Sequence, residues 1–297
     1  MKRQVLWAAS AVVSCASIAL AAGGTSVAGA AVASTVVSGT RIATPLPPHL
    51  HATRGAIDES SSNWSGYAQV STTPDTFAQV TDTFVVPTVV PSARGNQYVA
   101  DWVGIGGYTG GDSTLVQDGI QAVIHTRGHH STVTYDAWTE HLPRDEKPLA
   151  LTVSAGDTVT AIVQETATDT WLMEVVDDTT NLNAATTVHY VASGLSAEAI
   201  MERPCVRAPC RTQDLAHLAQ TSNETFGPGS YSTEVLPAGQ TPTEEPLLAL
   251  VADQTLADIV MTNNSDSSTI ATPSPPSSEQ DGFVVADGAE PPLAPNV

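Results

Sequence analysis

The segments 149–165, LALTVSAGDTVTAIVQE, and 170–180, TWLMEVVDDTT, decide the fold class of this 297-residue chain. Both are rich in valine and threonine and are closed by turn signals such as AGD and DDTTN. Similar runs follow Asn63, among them FAQVTDTFVVPTVV, QYVADWVGIGG and STVTYDAWTEHLP. No long stretch shows a helical period. Many short strands without intervening helices predict an all-β protein, an antiparallel β-sandwich of two packed sheets.

The two ends of the chain differ from this pattern. Residues 1–30 begin with two basic residues and continue as an apolar run ending in small residues, which predicts a secretory signal peptide. A membrane anchor is the alternative interpretation of this run. We predict a linker or short propeptide over 31–59, the sandwich over 60–286 and a flexible, proline-rich tail over 287–297. The protein is therefore expected to be secreted and extracellular, with no membrane association after signal removal.

Charge and cysteine content narrow the expected partners. Acidic residues outnumber basic ones by 31 to 11, giving a net charge of −20, which disfavours nucleic acid and anionic membranes. We expect a monomer.

In an exported chain, Cys205 and Cys210 of CVRAPC are predicted to form a disulfide. His125, His129 and His130 are interpreted as solvated loop residues, and no metal or cofactor is predicted.

Strand periodicity separates a polar face from an apolar one. In LVQDGIQAVI, the valine and isoleucines alternate with a set that includes Gln117. In DWVGIGG, Trp102 shares a face with glycines, and in TYDAWTEHL the residues Asp136, Trp138 and Glu140 share a face. Tryptophans among amides and carboxylates, beside glycines that leave room, suggest a groove that holds a ligand.

The stretch SAEAIMERPC, residues 196–205, places Glu198 and Glu202 four residues apart. In a strand they would be separated by about 13 Å, too far to act on one bond. In a helix they would be about 6 Å apart. Pro204 and the β-rich surroundings favour the strand. If either glutamate is catalytic, its partner must therefore come from another strand.

Six segments, SSNWSGY, DWVGIGG, STLVQDG, TYDAWTEHLP, SAGDTV and AEAIMERP, occur in this order between about Ser60 and Phe226. Together they resemble the glutamic peptidases (eqolisins, family G1), secreted acid endopeptidases with a β-sandwich fold, and suggest a secreted member of bacterial type. The resemblance implies polypeptide substrates and a Gln/Glu dyad. Gln117 matches the glutamine of this dyad and Glu202 the glutamate, leaving Glu198 as a bystander. The positions matching the family's substrate groove are Trp64, Trp102, Asp136, Trp138 and Glu140.

The implied mechanism needs no serine, cysteine or metal and implies insensitivity to pepstatin. Glu202 would act as general base and then general acid on water, and Gln117 would stabilise the oxyanion. Working in acid requires Glu202 to stay ionised there, which neighbouring hydrogen-bond donors are expected to arrange.

The chain departs from the family pattern at several positions. Gly106 stands where an aspartate is frequent, Ala199 where an aromatic is usual and Arg203 where an acid is usual. Thr139 and His141 also replace positions that tend to be aromatic. These departures bear on pH optimum and substrate preference.

Two other functions fit the same pattern. One is a lectin-like, concanavalin-type sandwich that binds carbohydrate in the tryptophan-lined groove, and the other is a glycosidase that uses Glu140 and Glu202. A contact between Gln117 and Glu202 would favour the peptidase, and two facing carboxylates would favour the glycosidase.

Overall fold

The computed structural model describes residues 56–92, 95–206 and 212–296, and these residues form mainly β-strands. The predicted signal peptide, most of the predicted linker and Cys210 lie outside them. Within the described ranges, the helical structure is a single 3-10 turn at Thr212–Asp214. No helix in the same ranges is long and apolar enough to cross a membrane.

The described residues contain twenty strands, numbered here in chain order. The first ten are β1 Ile57–Ser61, β2 Trp64–Ser71, β3 Gln79–Val85, β4 Val89–Val90, β5 Gln97–Gly106, β6 Leu115–Arg127, β7 His130–His141, β8 Lys147–Pro148, β9 Thr158–Ala167 and β10 Thr170–Asp177. The others are β11 Leu182–His189, β12 Ser196–Glu202, β13 His217–Leu218, β14 Gln220–Thr221, β15 Glu224–Phe226, β16 Ser230–Ser232, β17 Glu245–Pro246, β18 Gln254–Thr262, β19 Thr269–Pro273 and β20 Phe283–Asp287.

Hydrogen bonding arranges the long strands in two layers. The front sheet has the order β1, β18, β2, β12, β5, β6, β7 and β8. The back sheet has the order β20, β15, β3, β9, β10 and β11, and β19 pairs with both β18 and β20 to join the two. The pairs are antiparallel except β1 with β18 and β13 with β5. The antiparallel β-sandwich predicted from the sequence is confirmed.

Apolar residues of the front and back sheets fill the space between the layers. Val103, Ile120 and Met201 of the front sheet join one buried cluster with Phe84 and Val163 of the back sheet. This inner set follows from the two-residue period of the strands, since alternate side chains point to opposite faces. Burial of this set supplies the main hydrophobic stabilisation of the fold.

The outer face of the front sheet is also apolar at its centre. Trp64, Trp102, Leu115, Trp138 and Ile200 belong to a second buried cluster, separate from the one between the sheets. Strand β12 lies between β2 and β5, and all seven of its residues are buried. The strand interpretation of SAEAIMERP is therefore correct, and both of its glutamates lie on the outer face with Ile200.

Gly119 lies between two of the three tryptophans of this outer cluster. It pairs with Trp102 on β5 and with Trp138 on β7. A Cβ atom at this position would lie 2.1 Å from the Asp101 carbonyl oxygen and 2.7 Å from the Trp102 Cα. Because both neighbours are backbone atoms in a paired strand, they cannot move aside without disturbing the sheet.

We expect Gly119→Ala to lower the free energy of unfolding by about 2–4 kcal/mol, because the added methyl group overpacks the junction of β5 and β6. Urea denaturation at pH 4 measures this. Gly110→Ala is the matched control, since a Cβ there meets no atom within 4 Å. Equal stability of the two variants would contradict the close approach at Gly119.

Candidate active site

Glu202 ends strand β12 on the outer face of the front sheet, paired with Trp64 and Ala100. Its carboxyl group is fully buried. Oε1 accepts a hydrogen bond from Asn63 Nδ2 at 2.8 Å, and Oε2 accepts one from Trp102 Nε1 at 2.9 Å. A donor on β5 and a donor directly before β2 therefore fix the orientation of this carboxyl group.

Burial raises the pKa of Glu202 to about 8, and the nearby Glu146 carboxyl adds to the increase. The donors on Asn63, Trp102 and Trp64 lower the pKa but offset only part of the effect of burial. The group is therefore protonated in acid. The structure does not support the expectation that donors keep Glu202 ionised in acid, because loss of water around the carboxylate outweighs the hydrogen bonds from Asn63 and Trp102.

Gln117 on β6 and Glu140 on β7 form the second polar group of this face. They are directly paired across the two strands, and both are buried. Gln117 Nε2 donates to Glu140 Oε2 at 2.5 Å. In the described part of the chain, Gln117 Oε1 and Glu140 Oε1 have no protein hydrogen-bond partner. One amide N–H of Gln117 is thus used by Glu140, and the second remains for another acceptor.

Glu140 is the electrostatic link between the two predicted dyad residues. Burial raises its pKa well above the usual value, repulsion from Glu202 and Glu146 raises it further, and the Gln117 hydrogen bond opposes these effects. The described contacts include no hydrogen bond between Gln117 and Glu202. The carboxyl of Glu140 therefore contacts one dyad residue and interacts through its charge with the other.

The strand register explains why Gln117 and Glu202 do not meet directly. Gln117 lies opposite Gly104 on β5, whereas Glu202 lies opposite Ala100 on the same strand. Strand β5 therefore lies between the two residues, and their partners on β5 are four positions apart. Gly104, which pairs with Gln117 on one side and with Glu198 on the other, contributes no side chain to this face.

Glu198 shares the outer face with Glu202 but has different neighbours. It pairs with Gly104 and Ala68, and its carboxyl is fully buried. Burial raises its pKa well above the usual value, the Ser196 hydroxyl lowers it, and Asp112 raises it. None of the groups that shift its pKa belongs to the dyad. Its role as a bystander stays a prediction.

The predicted groove residues divide into a buried floor and one exposed position. Trp64, Trp102 and Trp138 are at most 1% exposed, and the first two pack edge to face with ring centroids 5.0 Å apart. Glu140 is buried, whereas Asp136 is exposed. The tryptophans pack against one another and against Ile200, so they form the floor of the face rather than its open walls.

Asn63, which donates to Glu202, was not among the predicted site residues, although it lies in the segment SNWSG. The Asn63 carbonyl accepts from the Arg203 backbone N–H at 3.0 Å. Arg203 Nε also donates to the Ser62 carbonyl at 2.8 Å. Arg203, one of the departures from the family pattern, thus holds the segment that presents Asn63 to Glu202. The one feature of the sequence that could have indicated a role for Asn63 is its side-chain amide directly before Trp64, a predicted groove residue.

Gly106, a second departure, has a conformational role. Its φ is +90°, and an added Cβ would lie 2.7 Å from the Thr114 carbonyl oxygen. An aspartate there would be strained. An acid nevertheless lies close by, because Asp112 accepts hydrogen bonds from the Gly107 N–H at 3.1 Å and from the Ser193 hydroxyl at 2.5 Å.

The described contacts of Cys205 and of the three histidines singled out in the sequence include no hydrogen bond to these groups. Cys205 is buried and Cys210 lies outside the described residues, so their disulfide stays a prediction. His125, His129 and His130 are exposed, as interpreted from the sequence, but only His129 lies in a turn, because His125 belongs to β6 and His130 begins β7.

Comparison with known proteins identifies the family. The model of the Peptidase A4 family matches residues 62–272. Among solved structures, the chain is similar to scytalido-glutamic peptidase bound to a transition state analog inhibitor, with a TM-score of 0.58 and 20% identity over 76% of this chain and 98% of that chain. It is also similar to SCP-B of the eqolisin family in complex with the tripeptide Ala-Ile-His, with a TM-score of 0.52 and 20% identity over the same shares.

No curated protein gives a match to the sequence. The two solved structures support the sandwich fold, and the family model covers most of the chain, including every strand from β2 to β18. This chain therefore belongs to the Peptidase A4 family of glutamic peptidases, hydrolases that act on peptide bonds.

Proposed function

We propose that this protein is a secreted, pepstatin-insensitive endopeptidase in which Glu202 and Gln117 carry out peptide hydrolysis. The observation that carries the proposal is the buried polar arrangement on the outer face of the front sheet. There Asn63 and Trp102 orient the carboxyl of Glu202, and Glu140 orients the amide of Gln117. Buried groups of this kind, aligned on one face in a peptidase family, are suited to polarise a peptide bond.

The proposed reaction begins with Glu202 as a carboxylate. It takes a proton from a water molecule, and the water oxygen attacks the scissile carbonyl carbon. The second N–H of Gln117 Nε2 donates to the resulting oxyanion. As the tetrahedral intermediate collapses, Glu202 returns the proton to the leaving nitrogen, the C–N bond breaks, and the carboxylate is restored.

Glu140 would act in this scheme by fixing the amide of Gln117. Because Glu140 Oε2 accepts from Gln117 Nε2, the amide is held with its nitrogen, not its oxygen, toward β7. This bond uses one of the two N–H groups of Gln117 and fixes the plane of the amide, so the second N–H has a defined direction. Glu140 would therefore be a positioning residue for Gln117 rather than a second base. Membership of a peptidase family, and not a Gln117–Glu202 contact, favours the peptidase over the glycosidase that would pair Glu140 with Glu202.

Cleavage of a denatured protein substrate tests the proposal. The folded protein is incubated at several pH values between 4 and 7 with pepstatin and a chelator, and new termini are identified by mass spectrometry. Internal cleavage that persists with both inhibitors is the expected result. Absence of cleavage by folded protein, or complete inhibition by pepstatin, would overturn the proposal.

The pH profile separates the base role of Glu202 from an acid role. With a folded-state pKa raised to about 8 by burial, the ionised fraction of Glu202 falls about tenfold per pH unit below that value. We therefore expect kcat/KM to rise from pH 4 to pH 7 by up to about tenfold per unit, measured with a neutral peptide. Circular dichroism at each pH controls for unfolding. Activity that falls over this range would show that the protonated carboxyl is the working form.

A further inference from the structure

A pocket of about 330 Å³ lies on the outer face of the front sheet. Gln121 and Asp136, which are paired across β6 and β7, form part of its lining. Gln121 also lies opposite Ala100, the residue that pairs with Glu202 on the other side of β5. Pro204, two residues after Glu202, closes the near side. The pocket therefore lies on the same face of the sheet as the proposed base, with β5 between Gln121 and Glu202.

The pocket has one apolar wall and one polar wall. Tyr98, Val123 and Pro204 contribute the apolar surface. On the polar wall, Gln121 Nε2 donates to Glu146 Oε1 at 2.6 Å. This bond uses one carboxyl oxygen of Glu146 and fixes the direction of the carboxyl group, so its other oxygen remains for an incoming donor. The combination suits a long side chain with an apolar stem and a polar head.

The acidic and imidazole side chains that line the pocket are Asp136, Glu146 and His125. Burial raises the pKa of Glu146 to about 7, and repulsion from Asp136 contributes. His125 is exposed, and its Nε2 lies 3.4 Å from Thr134 Oγ1. A cation between the two carboxyl groups would replace their repulsion by attraction.

We infer that this pocket binds a lysine or arginine side chain of the polypeptide substrate and that Glu146 is a specificity-determining residue. The inference rests on the proposed function. The side-chain stem lies along Tyr98, Val123 and Pro204, and the cationic head donates to Glu146 and Asp136. Because Glu146 also raises the pKa of Glu202, an occupied pocket places positive charge near the proposed base and favours its ionised form.

Paired peptides test the pocket. Each pair carries lysine or norleucine at one of three positions on either side of a single cleavage site, so the pair differs only in the ammonium group. At one position, the wild-type protein is expected to cleave the lysine peptide with a kcat/KM about tenfold higher. Glu146→Gln should reduce the ratio within that pair to about twofold or less. The exposed Glu279→Gln is the matched control and keeps the wild-type ratio.

The norleucine peptides distinguish failure of this inference from failure of the proposed function. Suppose that the wild-type protein cleaves them and that kcat/KM is equal for the lysine and norleucine peptides at every position. The pocket assignment is then overturned, and the proposed peptidase function stands. If no peptide is cleaved, the proposed function fails, and calorimetric Kd values for the same pairs decide the pocket. Tighter lysine binding that is lost in Glu146→Gln supports it, and equal Kd values overturn it.

Discussion

Glu202→Gln is expected to lower kcat/KM for peptide hydrolysis by at least about 1,000-fold. The amide preserves the shape of the side chain, and its oxygen can still accept from Asn63 or Trp102. It cannot take a proton from water, so the proposed first step is lost. Steady-state kinetics on a neutral peptide measure the change.

A structural explanation for that loss is excluded by measuring stability in parallel. Because Glu202 is buried with a pKa raised to about 8, replacing it with a neutral amide should not destabilise the fold at pH 7. A variant that is inactive but at least as stable as the wild type therefore locates the defect in the chemistry.

Glu198→Gln is the matched control, because Glu198 lies on the same strand and face and is also fully buried. Its activity should stay within about threefold of the wild type, whereas Gln117→Ala should lose about 100-fold or more through loss of the oxyanion donor. A large loss in Glu198→Gln with activity retained in Glu202→Gln would reverse the roles of the two glutamates.

The melting temperature is expected to be highest near pH 4 and to fall by on the order of 10–20 °C by pH 8. The physical reason is a set of buried carboxyl groups whose pKa values are raised chiefly by burial. The set comprises Asp82, Asp101, Asp118, Glu140, Glu198, Glu202 and Glu224. Differential scanning calorimetry between pH 3 and 9 measures the dependence.

The sign follows from proton binding. Between the ordinary carboxyl pKa near 4 and the raised values, the folded chain holds protons that the unfolded chain releases, so unfolding becomes easier as pH rises. The stabilisation is complete below about pH 4 and is lost as pH rises through the folded-state pKa values. For Glu202 alone, whose pKa rises from 4.5 to about 8, the loss approaches about 5 kcal/mol.

The interior pair of Asp101 on β5 and Glu224 on β15 strengthens this dependence. Burial raises the pKa of both carboxyl groups, and repulsion from Asp101 raises that of Glu224 further. Ionising both would place two negative charges between the sheets. Asp112 has the opposite pH dependence. Hydrogen bonds from Ser193, Thr114 and Gly107 outweigh burial and lower the pKa of its carboxyl group, so the stabilisation that Asp112 contributes is lost below about pH 4.

Asp118→Asn tests whether buried carboxyl groups cause the pH dependence. Asp118 is fully buried, and burial raises its pKa well above the usual value. Removing its titration should make the fall in melting temperature between pH 4 and 8 shallower, whereas the exposed Asp253→Asn should leave it unchanged. A melting temperature that is flat or rises over this range in the wild type would contradict the explanation.

Stability and catalysis thus respond to pH in opposite directions. The proposed base requires ionisation of Glu202, whereas the fold is most stable when Glu202 and its buried counterparts are protonated. The activity optimum is expected between these limits, on the acid side of neutrality. The expected optimum is therefore higher than pH 3 to 4, because a base can work at pH 3 to 4 only if it is still ionised there.

Much of the front sheet could be predicted from the sequence. The alternation in LVQDGIQAVI and TYDAWTEHL correctly separated Gln117, Trp138 and Glu140 from the apolar inner face. Pro204 and the lack of helical periodicity correctly identified β12 as a strand. Alternation and turn signals depend on neighbours within a few residues along the chain, so they can be recognised without knowing which strands pair.

The sequence by itself determined the sandwich class and the residues that share each face, because a strand alternates its side chains whatever it pairs with. Only the tertiary structure decided the register that joins Gln117 to Glu140, the contact of Asn63 with a glutamate 139 residues away, and the burial of the tryptophans. It also decided that burial would outweigh hydrogen bonds at Glu202. These properties depend on strands distant in sequence, and the pKa of a carboxyl group depends on the water those strands exclude.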